Sequence, residues 1–178
     1  MTGSELLQKD LPFMDLEILS VGPEHAGAVH AVTRVIWTGR VGKTSTVFRE
    51  TPKTVAAQIR SGGAVLVLDE EDVVGSGRFV MVPGPEGDDG KWMEVKRIGL
   101  LPDYTGNDIG AEILHVLEKL GRYRGAGGAQ LAVRKDQPRL VEVYLDCGYT
   151  LADDVQLTTH NPLAPSPIGM RKWFTEED

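Results

Sequence analysis

One mixed α/β sheet layered with helices is the fold class this sequence predicts, on three observations. The 178 residues suit one ordinary domain with a continuous apolar core. Strand-like and helix-like apolar spacings follow one another in the order β-α-α-β-β-β-α-β-α-β-β, the signature of a mixed sheet with helices packed on it. No internal repeat or low-complexity tract interrupts that order.

Residues 1–13 are polar, short and broken by Pro12, and read as a mobile or loosely docked leader to a single domain over 14–178. Leu16, Ile18 and Val21 mark a first strand. Pro23 opens a helical stretch in which Ala28, Val29, Val32, Val35 and Ile36 recur at helical spacing. The Gly-, Thr- and Ser-rich run TGRVGKTSTVF is a loop. Thr51 as N-cap and Pro52 at the first helical position start a second helix that ends at Gly62–Gly63. Two strands, AVLVLDE and DVVGSGRFVMV, are joined by an acidic turn around Glu71–Asp72. The segment PGPEGDDG separates them from a third strand, KWMEVKRIGLL. An amphipathic helix follows, with Ile113, Leu114, Leu117 and Leu120 on one face. AQLAVRKD is a strand, and QPRLVEVYLDCG is a helix with Pro138 near its start and Gly148 at its end. YTLADDVQLTTH and GMRKWF read as two last strands around a Pro-rich connection.

Composition narrows the function class. Apolar residues at 41% and charged residues at 25% give a globular balance. A net charge of −7 disfavours a nucleic-acid partner, because such domains carry a basic surplus to meet phosphates. It is compatible with a cationic small molecule, and an acidic surface also keeps a protein soluble. Cys147 is the one cysteine, which excludes an intrachain disulfide and a cysteine zinc cluster. With Asp146 and Gly148 as neighbours, its thiol reads as inert. The first residues lack a signal-peptide pattern, and no run approaches a bilayer span, so a cytoplasmic protein without a membrane partner is the expectation.

The chemistry concentrates between Glu94 and Tyr123, in a strand, a short loop and a long helix. A loop containing Gly106 opens into the helix at Ile109–Gly110. Helix N-termini present unpaired N–H groups and a positive dipole end that bind phosphates, and glycine lets a ligand approach the backbone. The plain alternative is that Gly106 and Gly110 serve only the turn and helix packing.

The run MEVKRIGLLPDYTGNDIGAEIL resembles the acyl-CoA motif of GNAT acetyltransferases: a strand, Pro, an aromatic, a Gly-rich phosphate loop and a helix. Leu100, Pro102, Tyr104, Gly106, Ile109, Gly110 and Leu114 fall at the matching places. QPRLVEVYLDCGYTL resembles the second signature of that family through Tyr144, Gly148 and Tyr149, and GMRKWF resembles its last strand, so the likeness spans about residues 15–174. The resemblance implies a mostly antiparallel mixed sheet, acetyl-CoA or another acyl-CoA as co-substrate without a metal, and a small-molecule or peptide amine as acceptor; a homodimer is compatible with it. As cofactor-binding residues it implies Ile98, Gly99, Leu100 and Leu101 along the pantetheine arm, with the Leu100 N–H on the thioester carbonyl. Thr105, Gly106, Asn107, Asp108, Ile109 and Gly110 would lie at the diphosphate, and Gln137 is implied as a further contact. Tyr144 takes the place of the acid that protonates the thiolate, and Glu94 that of a general base.

Two places depart from the family pattern. Thr105 stands where Arg or Gln is usual, and Asp108 where glycine is usual, setting a carboxylate beside the diphosphate. Arg134, Lys135 and Arg139 could compensate by charge. His25, His30, His115 and His160 are scattered without metal spacing. The loop from Arg40 to Arg49 and the acidic segment from Glu86 to Asp89 are expected walls of the acceptor site. A non-catalytic acyl-CoA sensor of the same fold, or an unrelated nucleotide-binding domain, is the alternative.

Overall fold

A computed structural model describes residues 9–11, 16–106 and 108–178. Among the described residues eight strands form one sheet: β1 (Lys9–Leu11), β2 (Leu16–Val21), β3 (Gly62–Asp69), β4 (Asp72–Pro83), β5 (Lys91–Leu100), β6 (Gly128–Val133), β7 (Thr150–Leu151) and β8 (Ile168–Trp173). Four α-helices accompany them among the described residues: α1 (Ala26–Trp37), α2 (Pro52–Ser61), α3 (Ile109–Tyr123) and α4 (Pro138–Asp146). The spatial order is β1-β2-β3-β4-β5-β6-β8-β7. Every neighbouring pair is antiparallel except β5 and β6, which run parallel and are linked through α3. This is the mixed, mostly antiparallel sheet flanked by helices that the sequence predicts. The expected leader contains β1, which pairs with β2; residues 1–8 and 12–13 of it lie outside the described residues.

Side-chain alternation divides the sheet between two cores. In β3, Ala64 and Leu66 join Val29, Val32 and Ile36 of α1 and Val55 and Ile59 of α2. Val65 and Val67 point the other way and join Ile113, Leu114 and Leu117 of α3. The start of α2 follows from its sequence: the Thr51 hydroxyl accepts from the Thr54 N–H at 3.2 Å, and Thr54 Oγ1 accepts from the Thr51 N–H at 2.9 Å. Such a reciprocal cap contributes about 1 kcal/mol.

Two irregularities set the geometry of the second half of β5. Its pairing with β6 is confined to Met93↔Ala129 and Glu94↔Gln130, after which the two strands part. Opposite Gly77 of β4, β5 carries two residues, Arg97 and Ile98, because Ser76 pairs with Gly99 while Arg78 pairs with Lys96. This β-bulge places Arg97 at φ 58°, a left-handed conformation that costs an ordinary residue about 1–2 kcal/mol.

One expected strand is largely absent. Of 149–160, only Thr150–Leu151 pair with β8. The Ala152 N–H still donates to the Gly169 carbonyl of β8 at 2.9 Å, and beyond it side chains become partners: the Gln156 carbonyl accepts from Gln130 Nε2 at 2.9 Å, and the Thr158 N–H donates to Glu94 Oε1 at 3.0 Å. Buried backbone groups must be paired, and here side chains rising from β5 and β6 supply the pairing that a ladder otherwise would.

Candidate active site

The divergence of β5 from β6 opens a cavity of about 1180 Å³. Its wall is built from the α1–α2 loop (Arg40, Val41, Gly42, Ser45, Thr46), from Glu94–Arg97 of β5, from the end of β6, and from the segments 151–161 and 164–169. Of the loop from Arg40 to Arg49, expected to wall an acceptor site, Arg40, Val41, Gly42, Ser45 and Thr46 line this cavity. The acidic segment 86–89 does not line it. That segment closes the β4–β5 hairpin, where Asp88 Oδ1 accepts from the Gly90 N–H at 2.7 Å and Asp88 Oδ2 from Trp92 Nε1 at 3.3 Å.

Glu94 lies at the point of divergence and is buried. Its carboxylate accepts from Gln130 Nε2 at 2.9 Å, from the Thr158 N–H at 3.0 and 3.2 Å, and from the Thr158 hydroxyl, and it pairs with Lys96 Nζ at 3.2 Å. The side chain therefore ties the segment after β7 across the open end of the sheet. Burial pushes the Lys96 ammonium below its ordinary pKa, and the Glu94 carboxylate pulls it back up.

The end of β5 presents main-chain groups to the opening. The Leu101 N–H donates to the Val74 carbonyl at 2.8 Å. Strand alternation then turns the N–H and C=O of Leu100 away from β4, toward the side where β6 has diverged. The Leu100 carbonyl accepts from Arg40 Nη2 at 2.9 Å; this contact bridges 60 residues of sequence and is invisible in any local pattern. Gly99 has a packing reason, since a Cβ there would lie 2.6 Å from the Trp37 ring.

The turn after β5 lies against the α3 face. Gly106 has φ 87°, open to glycine without strain. Asp108, the N-cap of α3, has φ 57° and ψ 13° and makes no side-chain cap. Besides glycine, Asp is one of the few residues that tolerate a left-handed backbone. The first bond of the helix is Glu112 N–H to the Asp108 carbonyl at 3.2 Å, so the N–H groups of Ile109, Gly110 and Ala111 stand outside the helical ladder. A Cβ on Gly110 would meet only Ile98 Cγ2, at 4.0 Å. Helix packing therefore does not demand glycine here, whereas close approach of a ligand does. These observations fit a diphosphate at main-chain amides. Asn107 lies outside the described residues. Thr105 is exposed, with its hydroxyl donating to the Pro102 carbonyl at 2.8 Å.

If an acyl-CoA sets its diphosphate at these amides, Asp108→Gly is expected to tighten acetyl-CoA binding about tenfold, by removing a nearby carboxylate. It should also raise stability by about 1 kcal/mol through release of the left-handed strain. Calorimetric titration and a melting curve measure the two effects.

Tyr144 and the 105–110 turn are not in the cavity wall. Tyr144 is half-buried on α4, its ring 6.0 Å from that of Tyr149 at 66°. Burial, reinforced by Cys147, pushes its phenol up to about 12. Burial also raises the Cys147 thiol, in keeping with an unreactive cysteine. Tyr149 is buried and donates to Glu118 Oε2 at 2.8 Å, which pins α3 to the start of β7. Tyr104 donates to Asp69, and that bond raises its phenol to about 12. Gln137 is exposed at the N-cap of α4. Of the three proposed compensating bases, Arg134 and Lys135 line the cavity, with Arg134 paired to Asp136 at 3.1 Å, while Arg139 is exposed on α4.

A charge cluster that sequence reading missed lies behind the bulge. Arg78, fully buried on β4, is paired with Glu50, and Glu50 Oε2 also accepts from Arg97 Nε at 3.2 Å. Arg97 Nη2 donates to Thr46 Oγ1 at 2.9 Å. These bonds hold Arg97 in its left-handed conformation with its side chain toward the α1–α2 loop. A Cβ on Gly77 would meet Ile98, Ile113 and Leu117, so Ile98 faces α3. The cavity's guanidinium and the amide turn therefore lie on opposite faces of one strand.

Comparison with known proteins gives the same architecture. The chain is similar to an acetyltransferase from Streptococcus agalactiae 2603, at 17% identity over 91% of this chain and 100% of that one, with a TM-score of 0.69. It is similar to the PaiA N-acetyltransferase of Thermoplasma acidophilum, solved in complex with coenzyme A, at 17% identity over 90% and 100%, TM-score 0.68. It is also similar to Arabidopsis thaliana Naa50 in complex with the bisubstrate analogue CoA-Ac-MVNAL, at 17% identity over 89% and 99%, TM-score 0.65. At these identities the likeness establishes the shared fold. No curated protein matches the sequence. The profile of the acetyltransferase (GNAT) family matches residues 34–149, which include the bulged strand, the amide turn, Glu94 and Tyr144. That match covers more than half of the chain, and the chain belongs to the acetyltransferase (GNAT) family.

Proposed function

We propose that this protein transfers an acetyl or other short acyl group from acyl-CoA to a primary amine by direct attack in a ternary complex. The observation that carries this reading is the parting of β5 and β6 beside a helix start whose Gly110 has open space around it. An acyl-CoA would place its diphosphate at the amides of residues 105–110 and its pantetheine along Ile98–Leu101. The Leu100 N–H, turned into the opening, would donate to the thioester carbonyl and stabilise the negative charge that grows there during attack. The amine would enter from the opposite face of the strand, through the cavity. A cytoplasmic location belongs to the same proposal.

Tyr144 supplies the proton side of the reaction in this reading. A phenol held at about 12 keeps its proton through the physiological range and stabilises the departing thiolate as a hydrogen-bond donor, while the proton lost by the attacking nitrogen ends on the coenzyme A sulfur. Tyr144→Phe is expected to lower kcat by about 10²-fold with acetyl-CoA affinity unchanged, read from steady-state kinetics and calorimetry; unchanged turnover would remove the tyrosine from this role. Glu94 acts as a positioning group, because its donors occupy the lone pairs that a proton acceptor needs.

Release of free CoA from acetyl-CoA across a panel of amines tests the proposal. Turnover with any amine supports it. Tight acetyl-CoA binding without turnover on any amine would favour a non-catalytic acyl-CoA sensor, the reading that the side chains of Thr105 and Asp108 support.

A further inference from the structure

The cavity inverts the charge of the chain. The sequence holds 19 Lys and Arg against 26 Asp and Glu, yet the cavity wall carries five cationic side chains and three acidic ones. Two of the acids are already paired, Glu94 with Lys96 at 3.2 Å and Asp136 with Arg134 at 3.1 Å. Arg40, Arg97 and Lys135 then face a single remaining carboxylate, Asp153.

The imbalance continues behind the wall. Glu50, the acidic partner of Arg97, is shared with the fully buried Arg78, so one carboxylate serves two guanidiniums. Arg78 Nη1 and Glu50 Oε1 are both buried without a hydrogen-bond partner among the described residues. Arg40 donates to a neutral group, the Leu100 carbonyl. Placing cations where water is partly excluded is costly unless an anion completes the arrangement. A cavity lined by one sign of charge also concentrates ligands of the other sign.

From this charge pattern we infer that the acceptor amine carries a carboxylate, held by the guanidiniums of Arg97 and Arg40. The inference rests on the acyltransferase reading above, with the acceptor entering this cavity. Arg97 sits at the bulge, and Arg40 is bonded to the carbonyl of the residue whose N–H faces the opening. A carboxylate across these two groups therefore leaves a nearby amine close to the end of β5, where the thioester would lie. The planar guanidinium matches a carboxylate through two parallel N–H bonds. This geometry selects free amino acids over simple amines, and over peptide N-termini, whose α-carboxyl is consumed in the peptide bond. It reverses the expectation of a cationic acceptor that net charge suggests.

The test compares amines matched except for the carboxylate: phenylalanine against phenethylamine and phenylalaninamide, and leucine against isoamylamine. Free-CoA release and melting shifts in the presence of CoA are recorded for the wild type, Arg97→Gln and Arg40→Gln. The expected result is a preference for the amino acids on the order of tenfold or more in kcat/KM. In each arginine variant the preference for the amino acid over its matched amine should shrink about tenfold, whatever the change in overall turnover, with acetyl-CoA affinity unchanged. Should no amine turn over, a melting shift from the amino acids alone still supports the inference, and equal shifts overturn it. Equal use of both amine classes with acetyl-CoA bound overturns this inference and leaves the acyltransferase reading standing. Arginine variants that lose acetyl-CoA affinity place those groups at the cofactor, which also overturns it. Failure of acetyl-CoA to bind at all overturns both readings.

Discussion

Gly110→Trp is expected to lower acetyl-CoA affinity by about 10²-fold or more while the protein remains folded. The expectation combines two features of one position. Gly110 is in the first turn of α3, among amides outside the helical ladder. A Cβ there would touch nothing nearer than Ile98 Cγ2 at 4.0 Å, so a side chain finds space that the fold itself does not use. In an acyl-CoA complex that space would belong to the diphosphate. Calorimetric titration and a melting curve on the same variant separate the outcomes. A variant that still binds would move the diphosphate elsewhere, and one that unfolds would make Gly110 a packing glycine after all. Gly110→Ala is the milder companion: it should fold and weaken binding by less.

Glu50→Ala carries the largest expected effect on stability, about 3–5 kcal/mol, or a fall in Tm of about 10 °C for a chain of this size. Arg78 is fully buried, and Glu50 is its ion-pair partner. Removing the carboxylate leaves two guanidiniums, Arg78 and Arg97, near one another with nothing to neutralise them. The penalty comes from the stranded charge more than from the lost attraction. Replacing both members of the pair with apolar residues, Glu50→Leu with Arg78→Met, should recover most of the loss. The same reasoning extends to the bulge: without Glu50, the Arg97 side chain keeps its bond to Thr46 but loses its ion pair, and turnover should fall along with stability. A melting temperature within about 2 °C of the wild type would mean that the cluster is solvated and shapes nothing.

Local chemistry made much of the fold legible. Thr51, Pro52 and Thr54 start α2 where a capping box must start a helix. The period-3.6 apolar face of Ile113, Leu114 and Leu117 becomes the α3 side of the core. The amide turn was legible through Gly106 and Gly110, because glycine marks the backbone where a side chain would obstruct. Asp108 obscured that motif, yet it adopts a left-handed conformation of its own, at φ 57°. What stayed hidden arises from contacts between distant segments. Arg78 looks like an ordinary polar residue in a strand until the fold brings Glu50 to it across 28 positions. Glu94 suggests a free carboxylate until Thr158, 64 residues later, donates to it. The same contact explains why 152–160 resembles a strand in composition and is none. Its apolar and β-branched residues, Val155, Leu157, Thr158 and Thr159, have strand propensity, but Gln130 and Glu94 capture the backbone before a ladder extends.

A crystal structure of the protein with coenzyme A tests the central claim most directly. The diphosphate is expected within hydrogen-bonding distance of the amides of Gly106, Ile109 and Gly110, with the pantetheine arm entering where β5 leaves β6. A diphosphate bound at Arg40 and Arg97 instead, with the turn before α3 empty, would contradict the account.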